Sequence, residues 1–134
     1  MVKNHRQNFL YEHFDAIFVN AGATEVRASW LDHLRVGGRL LVPLTAALPE
    51  SHLGAGHMLL VQARGTPVFA ARFVMAVGSI FHCTGARTDA GNAGLRDAFP
   101  RGVDSVQSLR RDPHDPGYQC WLHGRAFCLS SRSA

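Results

Sequence analysis

The chain has 134 residues, 46% of them hydrophobic and only 18% charged against a typical quarter or so, which is enough for one compact domain and argues against disorder. Fourteen Lys+Arg against ten Asp+Glu leave a net charge of +4, modest for a nucleic-acid binder. Apolar stretches such as Met58 to Val61 and Phe73 to Val77 fall far short of the roughly 18 residues that span a bilayer, and Met1 to Asp15 lacks the apolar core of a signal peptide. Three cysteines are an odd count for a disulfide-stapled secreted domain, so a reducing, cytoplasmic setting is expected.

In chain order, Phe14 to Asn20 contains the continuously apolar run Ala16-Ile17-Phe18-Val19, the pattern of a parallel-type interior strand. Val26, Trp30, Leu31 and Leu34 then form one stripe of a helix, with Thr24 as N-cap, Glu25 in the first turn and Gly37-Gly38 closing it. Arg39 to Leu44 resumes an apolar run, so residues 14–44 read as a βαβ unit. A loop from Thr45 to Gly56 leads to a strand over 58–63, a turn at Arg64-Gly65-Thr66-Pro67 and a strand from Val68 to about Val77, an antiparallel hairpin. In its second strand Phe69, Ala71, Phe73, Met75 and Val77 share one face. Beyond Gly85, a short helix over 89–99 and a short element over 103–111 are expected; residues 119–129 are either one strand or a tight hairpin about His123-Gly124.

The strings Phe14-Asp15-Ala16-Ile17-Phe18-Val19-Asn20-Ala21-Gly22-Ala23-Thr24 and Leu34-Arg35-Val36-Gly37-Gly38-Arg39-Leu40-Leu41-Val42-Pro43-Leu44 resemble the fourth strand, following helix and fifth strand of protein-L-isoaspartate O-methyltransferases, a branch of the class I S-adenosylmethionine-dependent methyltransferases. The resemblance covers residues 14–83; residues 84–134 read as a divergent C-terminal extension within a single domain over 1–134. It implies an α/β fold, a partial Rossmann-like methyltransferase sheet made of a βαβ unit and an antiparallel hairpin, lacking the N-terminal cofactor-binding half. Val36 stands where the family commonly has proline, and Asn20 where a small residue is frequent. The family's glycine-rich cofactor loop and ribose-binding acid would both lie upstream of Met1, and Gly54-Ala55-Gly56 has Leu59 where a third glycine would belong. S-adenosylmethionine is therefore implied by the family but not expected to bind this chain alone.

Open α/β sheets place ligands at the carboxyl ends of their parallel strands. The resemblance implies that Asn20, Ala21, Gly22, Ala23 and Thr24 form a cofactor- or substrate-facing loop, with Pro43, Leu44 and Thr45 on the crevice rim. Asn20 can both donate to and accept from a substrate amide or carboxylate, or can cap its own turn. Methyl transfer to a carboxylate needs alignment more than proton removal, so no general base is assigned. Cys120, His123 and Cys128, with His82 and Cys83, are zinc-type ligands, but residues 120 and 123 of one extended strand point to opposite faces and no C-x-x-C pair exists, so no metal site is assigned.

The functional expectation is the C-terminal portion of a methyltransferase acting on isoaspartyl carboxylates of damaged proteins. The alternative is a non-catalytic module that pairs through an exposed sheet edge, and a third reading is a small basic nucleic-acid-binding domain. The expected partners are a second copy of the chain or the missing N-terminal half, together with an isoaspartyl protein or peptide; neither a membrane nor a specific nucleic acid is expected.

Overall fold

The computed structural model describes residues 12–134. Seven strands form one sheet: β1 (Phe14–Phe18), β2 (Leu34–Ala47), β3 (Leu53–Gln62), β4 (Val68–Phe81), β5 (Ser108–Arg110), β6 (Cys120–His123) and β7 (Cys128–Ser130), in the order β1-β2-β3-β4-β5-β7-β6. β1 and β2 are parallel, and every other pair is antiparallel. Among the described residues two α-helices, α1 (Ala28–Asp32) and α2 (Asp89–Ala98), accompany the sheet, and a 3-10 turn over Phe99–Arg101 follows α2. The βαβ unit and the antiparallel hairpin of the sequence reading are thus both present, and residues 108–130 add three strands to the same sheet instead of folding apart. No helix among the described residues is long and apolar enough to cross a membrane.

The crossover differs from the periodic reading. Only five residues are helical, Arg27 occupies the N-cap position without a side-chain cap, and Thr24 is engaged elsewhere. The strand wins the disputed residues because Leu34 already pairs with Phe14, which pulls residues 34–38 into β2. Between the pairs Phe14↔Leu34 and Ala16↔Arg39 the chain takes five steps along β2 for two along β1. Gly37, at φ 83°, takes the left-handed conformation that this looped-out stretch requires, so Gly37-Gly38 bends a strand where it was expected to end a helix. Arg35, placed by pairing in β2, meets Asp15 at 3.3 Å on the surface.

β2 and β3 are also longer than expected, and residues 45–47 and 53–56 pair as Thr45↔Gly56, Ala46↔Ala55 and Ala47↔Gly54. The expected loop shrinks to the turn around residues 48–52. In β4 the alternation breaks: Leu59 pairs with Phe73 but Met58 with Met75, so Val74 is an extra residue. A one-residue bulge reverses every side chain beyond it. Phe69, Ala71 and Phe73 therefore lie on one face, while Met75 and Val77, expected with them, lie on the other, and Met75 is 61% exposed.

The core sits on one face of the sheet. Leu40, Val42 and Leu44 of β2, Leu59 and Val61 of β3, and Phe69 and Ala71 of β4 are all buried, with Leu95 and Ala98 of α2 and Leu109, Trp121 and Leu129 from the C-terminal part. α2 is capped as its sequence dictates: the Thr88 hydroxyl accepts from the Gly91 N–H at 2.9 Å, Asp89 lies in the first turn and Arg96 in the last. Phe73, Phe99 and Trp121 form an aromatic cluster with centroid separations of 5.2 to 6.4 Å, and the His57 ring lies tilted against Phe99 at 5.4 Å. Residues 119–129 adopt the hairpin alternative, β6 and β7 joined through 124–127.

Candidate functional site

After β1 the chain does not leave the sheet at once. Gly22 bridges His82 and Ala23 bridges Leu44, both in parallel sense, so the loop over 20–24 is laid across the carboxyl end of β2 and the end of β4. Backbone bonds fix it: Gly22 N–H donates to Phe81 at 2.8 Å, Ala23 N–H to Pro43 at 2.9 Å, Thr45 N–H to Ala23 at 2.9 Å and Cys83 N–H to Gly22 at 2.8 Å. Gly22 is needed here for close approach, because a β-carbon would collide with the Thr45 side chain.

The expected loop therefore divides in two. Asn20 is exposed and Ala21 half-buried, whereas Gly22, Ala23 and Thr24 are buried, as are Pro43, Leu44 and Thr45 of the expected rim. The segment after β4 packs on part of this surface: Cys83 N–H donates to the Gly22 carbonyl at 2.8 Å, and Thr24 N–H donates to the Ala86 carbonyl at 3.0 Å. The Thr24 hydroxyl accepts from the Thr88 N–H at 2.9 Å, tying the loop to the start of α2, which is why it does not cap α1.

Arg87 is the clasp, and no motif in the sequence marks it. Its guanidinium donates to the Gly22 carbonyl (2.8 Å), the Thr45 hydroxyl (2.9 Å) and carbonyl (3.0 Å), and the Asn92 side-chain oxygen (3.3 Å). Asn92 Oδ1 in turn accepts from the Ala47 N–H at 2.7 Å. Every one of these acceptors is neutral, and no carboxylate pairs with Arg87 among the described residues. Burial lowers the Arg87 pKa from its ordinary value, the response of a cation partly removed from water. A cavity of about 510 Å³ opens beside it, lined by Ala47, His82, Arg87, Thr88, Asp89 and Asn92. His82 Nε2 is buried without a hydrogen-bond partner. The cavity lining thus combines a guanidinium and an imidazole with the Asp89 carboxylate.

The fit to S-adenosylmethionine is incomplete. Gly54 and Gly56 lie inside β3, paired with β2 on one side and β4 on the other, and a β-carbon on Gly56 would strike the Leu44 carbonyl and the Phe99 ring. They serve strand packing and form no cradle at a strand-to-helix turn. The described residues hold no other candidate for the donor's glycine-rich loop.

The β6–β7 hairpin overturns the argument about opposite faces. Cys120 pairs with Ser130 and His123 with Cys128, with a register shift between Cys120 and Leu122. Cys128 and Ser130 are two apart on β7 and share a face, so their partners Cys120 and His123 share it too; Trp121 is the residue the bulge absorbs. His114, from the loop before β6, joins them, with Nε2 3.4 Å from Cys120 Sγ and its ring 4.9 Å from that of His123. Burial opposes ionisation of Cys120, yet hydrogen bonds from the Gly117 backbone, Cys128, His123 and His114 hold it down to about 6, while burial pushes Cys128 up to about 12. His82 and Cys83, at the far end of β4, take no part in this group.

Comparison with known proteins bears out the resemblance over part of the chain. Residues 10–55, from just before β1 to the start of β3, match the family model of protein-L-isoaspartate(D-aspartate) O-methyltransferase (PCMT). Among solved structures, the fold is similar to one from Plasmodium falciparum described as a β-aspartate methyltransferase in complex with S-adenosyl-L-homocysteine, at 18% identity and a TM-score of 0.43, covering 62% of this chain and 34% of that one. A second protein-L-isoaspartate O-methyltransferase is similar at 22% identity and a TM-score of 0.45, covering 66% of this chain and 25% of that one. The chain thus spans about a third of the length of the first structure and a quarter of the second. No curated protein sequence matches it.

Proposed function

We propose that this chain supplies the acceptor side of an S-adenosylmethionine-dependent O-methyltransferase similar to the isoaspartate family, and that it does not bind the methyl donor by itself. One observation carries the reading: within the segment that matches the family model, a parallel strand pair ends in a small-residue loop pinned across the carboxyl end of β2. Bound donor would supply an activated methyl group; the chain's own residues would orient the acceptor. Asn20, exposed at the start of the loop, offers amide donors to a carboxylate. Arg87 acts as a positioning residue, since its bonds to Gly22 and Thr45 hold that loop in place. Such a reaction draws its rate from alignment and exclusion of water, which suits a site without a general base.

The test has two arms. Calorimetry of the chain with S-adenosylmethionine should give no binding in the low micromolar range, the equivalent of about 7 to 8 kcal/mol. Fused to the donor-binding half of an isoaspartate methyltransferase, it should methylate an isoaspartyl peptide. Tight donor binding by the chain alone refutes the first part, and a folded fusion that binds donor without methylating the peptide refutes the substrate.

A second reading rests on the β1 edge. β1 pairs only with β2 among the described residues, and Phe18 is 61% exposed. An edge strand of this composition is a template for pairing with another chain. The module would then act by association, with a second copy or a donor-binding half completing the sheet.

A further inference from the structure

We infer that His114, Cys120, His123 and Cys128 form a closed, tetrahedral zinc site that fastens the loop over 112–118 to the β6–β7 hairpin. One ligand atom from each of the four residues already lies within 4.8 Å of all the others. Zinc bound at about 2.3 Å from sulfur and 2.0–2.1 Å from nitrogen needs its ligands roughly 3.3 to 3.8 Å apart. Side-chain adjustment of about 1 Å therefore completes the shell, with no change of backbone register.

Three features separate this group from a chance meeting of polar side chains. First, the β6 bulge has a chemical consequence, since it is what brings Cys120 and His123 to the face that carries Cys128. Second, His114 is oriented as a ligand is: its Nδ1 lies 2.8 Å from the Asp112 carbonyl and donates to it, which leaves the Nε2 lone pair facing Cys120. A histidine that binds metal characteristically spends its other nitrogen in this way. Third, Arg110, the neighbour of Cys128 across β5 and β7, is held by both oxygens of Asp112 at 3.0 and 2.6 Å. Its charge is thereby balanced inside the protein and does not oppose a cation next door.

The donor set selects the metal and the role. Two thiolates and two neutral imidazoles carry a charge of −2, which Zn²⁺ neutralises, and sulfur with nitrogen in tetrahedral array disfavours calcium and magnesium. All four positions come from the protein, which marks a structural site and leaves no place for a reacting water. Cys128 is 1% exposed whereas His123 is exposed, so the ion has a path from solvent. Binding releases the thiol protons to solvent as the two Zn–S bonds form, with no change in oxidation state. Residues 113–117 have no regular secondary structure, and the metal would join them to the sheet through His114.

The experiment uses the full chain, reduced, stripped with a chelator and reloaded. One zinc per chain should be retained through gel filtration, and Co²⁺ in its place should show the visible bands and thiolate-to-metal charge transfer of tetrahedral sulfur–nitrogen coordination. Zinc should shield two of the three cysteines, 120 and 128, from alkylation mapped by mass spectrometry and leave Cys83 reactive. Cys120→Ser and His114→Gln should each weaken zinc binding by about 100-fold or more, while Cys83→Ser leaves stoichiometry and affinity unchanged. The alkylation pattern and the cobalt spectrum are read on the unmutated chain, so variants that fail to fold do not remove the test. A reduced chain that takes up neither metal overturns the site. So does zinc binding that survives Cys120→Ser with Cys128→Ser, or a Cys120–Cys128 disulfide as the stable form with no metal affinity on reduction.

Discussion

The two edges of the sheet solve the problem of apolar residues in opposite ways. At the β1 edge the most continuously apolar run of the N-terminal part is poorly covered: Ala16 and Phe18 are exposed, and Ile17 and Val19 only half-buried. At the β6 edge the sequence is polar and irregular, yet Trp121, Leu122, Phe127, Cys128 and Leu129 are all buried. The difference lies in what packs on each edge. Near β6, α2, the 3-10 turn and the aromatic cluster close over short strands, whereas β1 has only β2 beside it among the described residues. Hydrophobicity along the chain measures what a strand could bury, and tertiary contacts decide what it does bury.

If that contrast is right, the largest effect belongs to the covered edge. Trp121→Ala removes a ring that touches Phe73 and Phe99 and whose Nε1 donates to the Gly102 carbonyl at 2.7 Å. It should cost about 3 to 5 kcal/mol in urea unfolding. A loss below about 1 kcal/mol would mean that the C-terminal strands contribute little to the common core.

Next in size is the exposed edge's own loop. In the fusion with a donor-binding half, Asn20→Ala should reduce turnover on an isoaspartyl peptide about 10- to 100-fold, the loss of one orienting bond to a charged group worth roughly 1.5 to 3 kcal/mol. Its stability should change by no more than about 0.5 kcal/mol. Unaltered turnover with a marked loss of stability would make Asn20 a turn residue and nothing more.

Arg87 joins the two regions, and its removal sharpens the comparison. Arg87→Met leaves the Gly22 and Thr45 carbonyls without their side-chain donor and should destabilise the chain by about 1 to 3 kcal/mol in chemical unfolding. Arg87→Lys should recover only part of this, because a single ammonium cannot span acceptors on both sides of a planar fork. Full recovery by lysine would show that charge alone is what Arg87 provides.

The smallest effect on stability should come from β1 itself. Phe18→Glu, at a side chain already 61% exposed, should alter unfolding free energy by about 0.5 kcal/mol or less. Light scattering should nevertheless report weaker self-association, since a charge on an edge strand opposes pairing. A large stability loss in a strictly monomeric chain would mean that Phe18 packs internally.

Much of this was legible in the residues. The apolar runs at 14–19 and 39–44 dictate strands, Arg64-Gly65-Thr66-Pro67 a hairpin turn, and the stretch from Asp89 to Phe99 a short helix, because each signal is local and agrees with its neighbours. The same strings carried the family resemblance that the match over 10–55 supports. Where local signals conflicted, pairing prevailed: the stripe Val26, Trp30, Leu31, Leu34 predicts a helix that runs through Leu34, but ladder pairing from Leu34 onward ends it at Asp32. The bulges at Val74 and at Trp121 had no sequence mark at all. Each depends on how many residues the opposite strand offers, and each reverses the side chains beyond it, sending Met75 out and bringing Cys120 and His123 together. Arg87 was silent for a related reason, since its acceptors Gly22, Thr45 and Asn92 stand 65, 42 and 5 residues away. The sequence by itself determined the class of fold and the loop after the first strand. Register, which is a property of two strands and never of one, decided which side chains share a site.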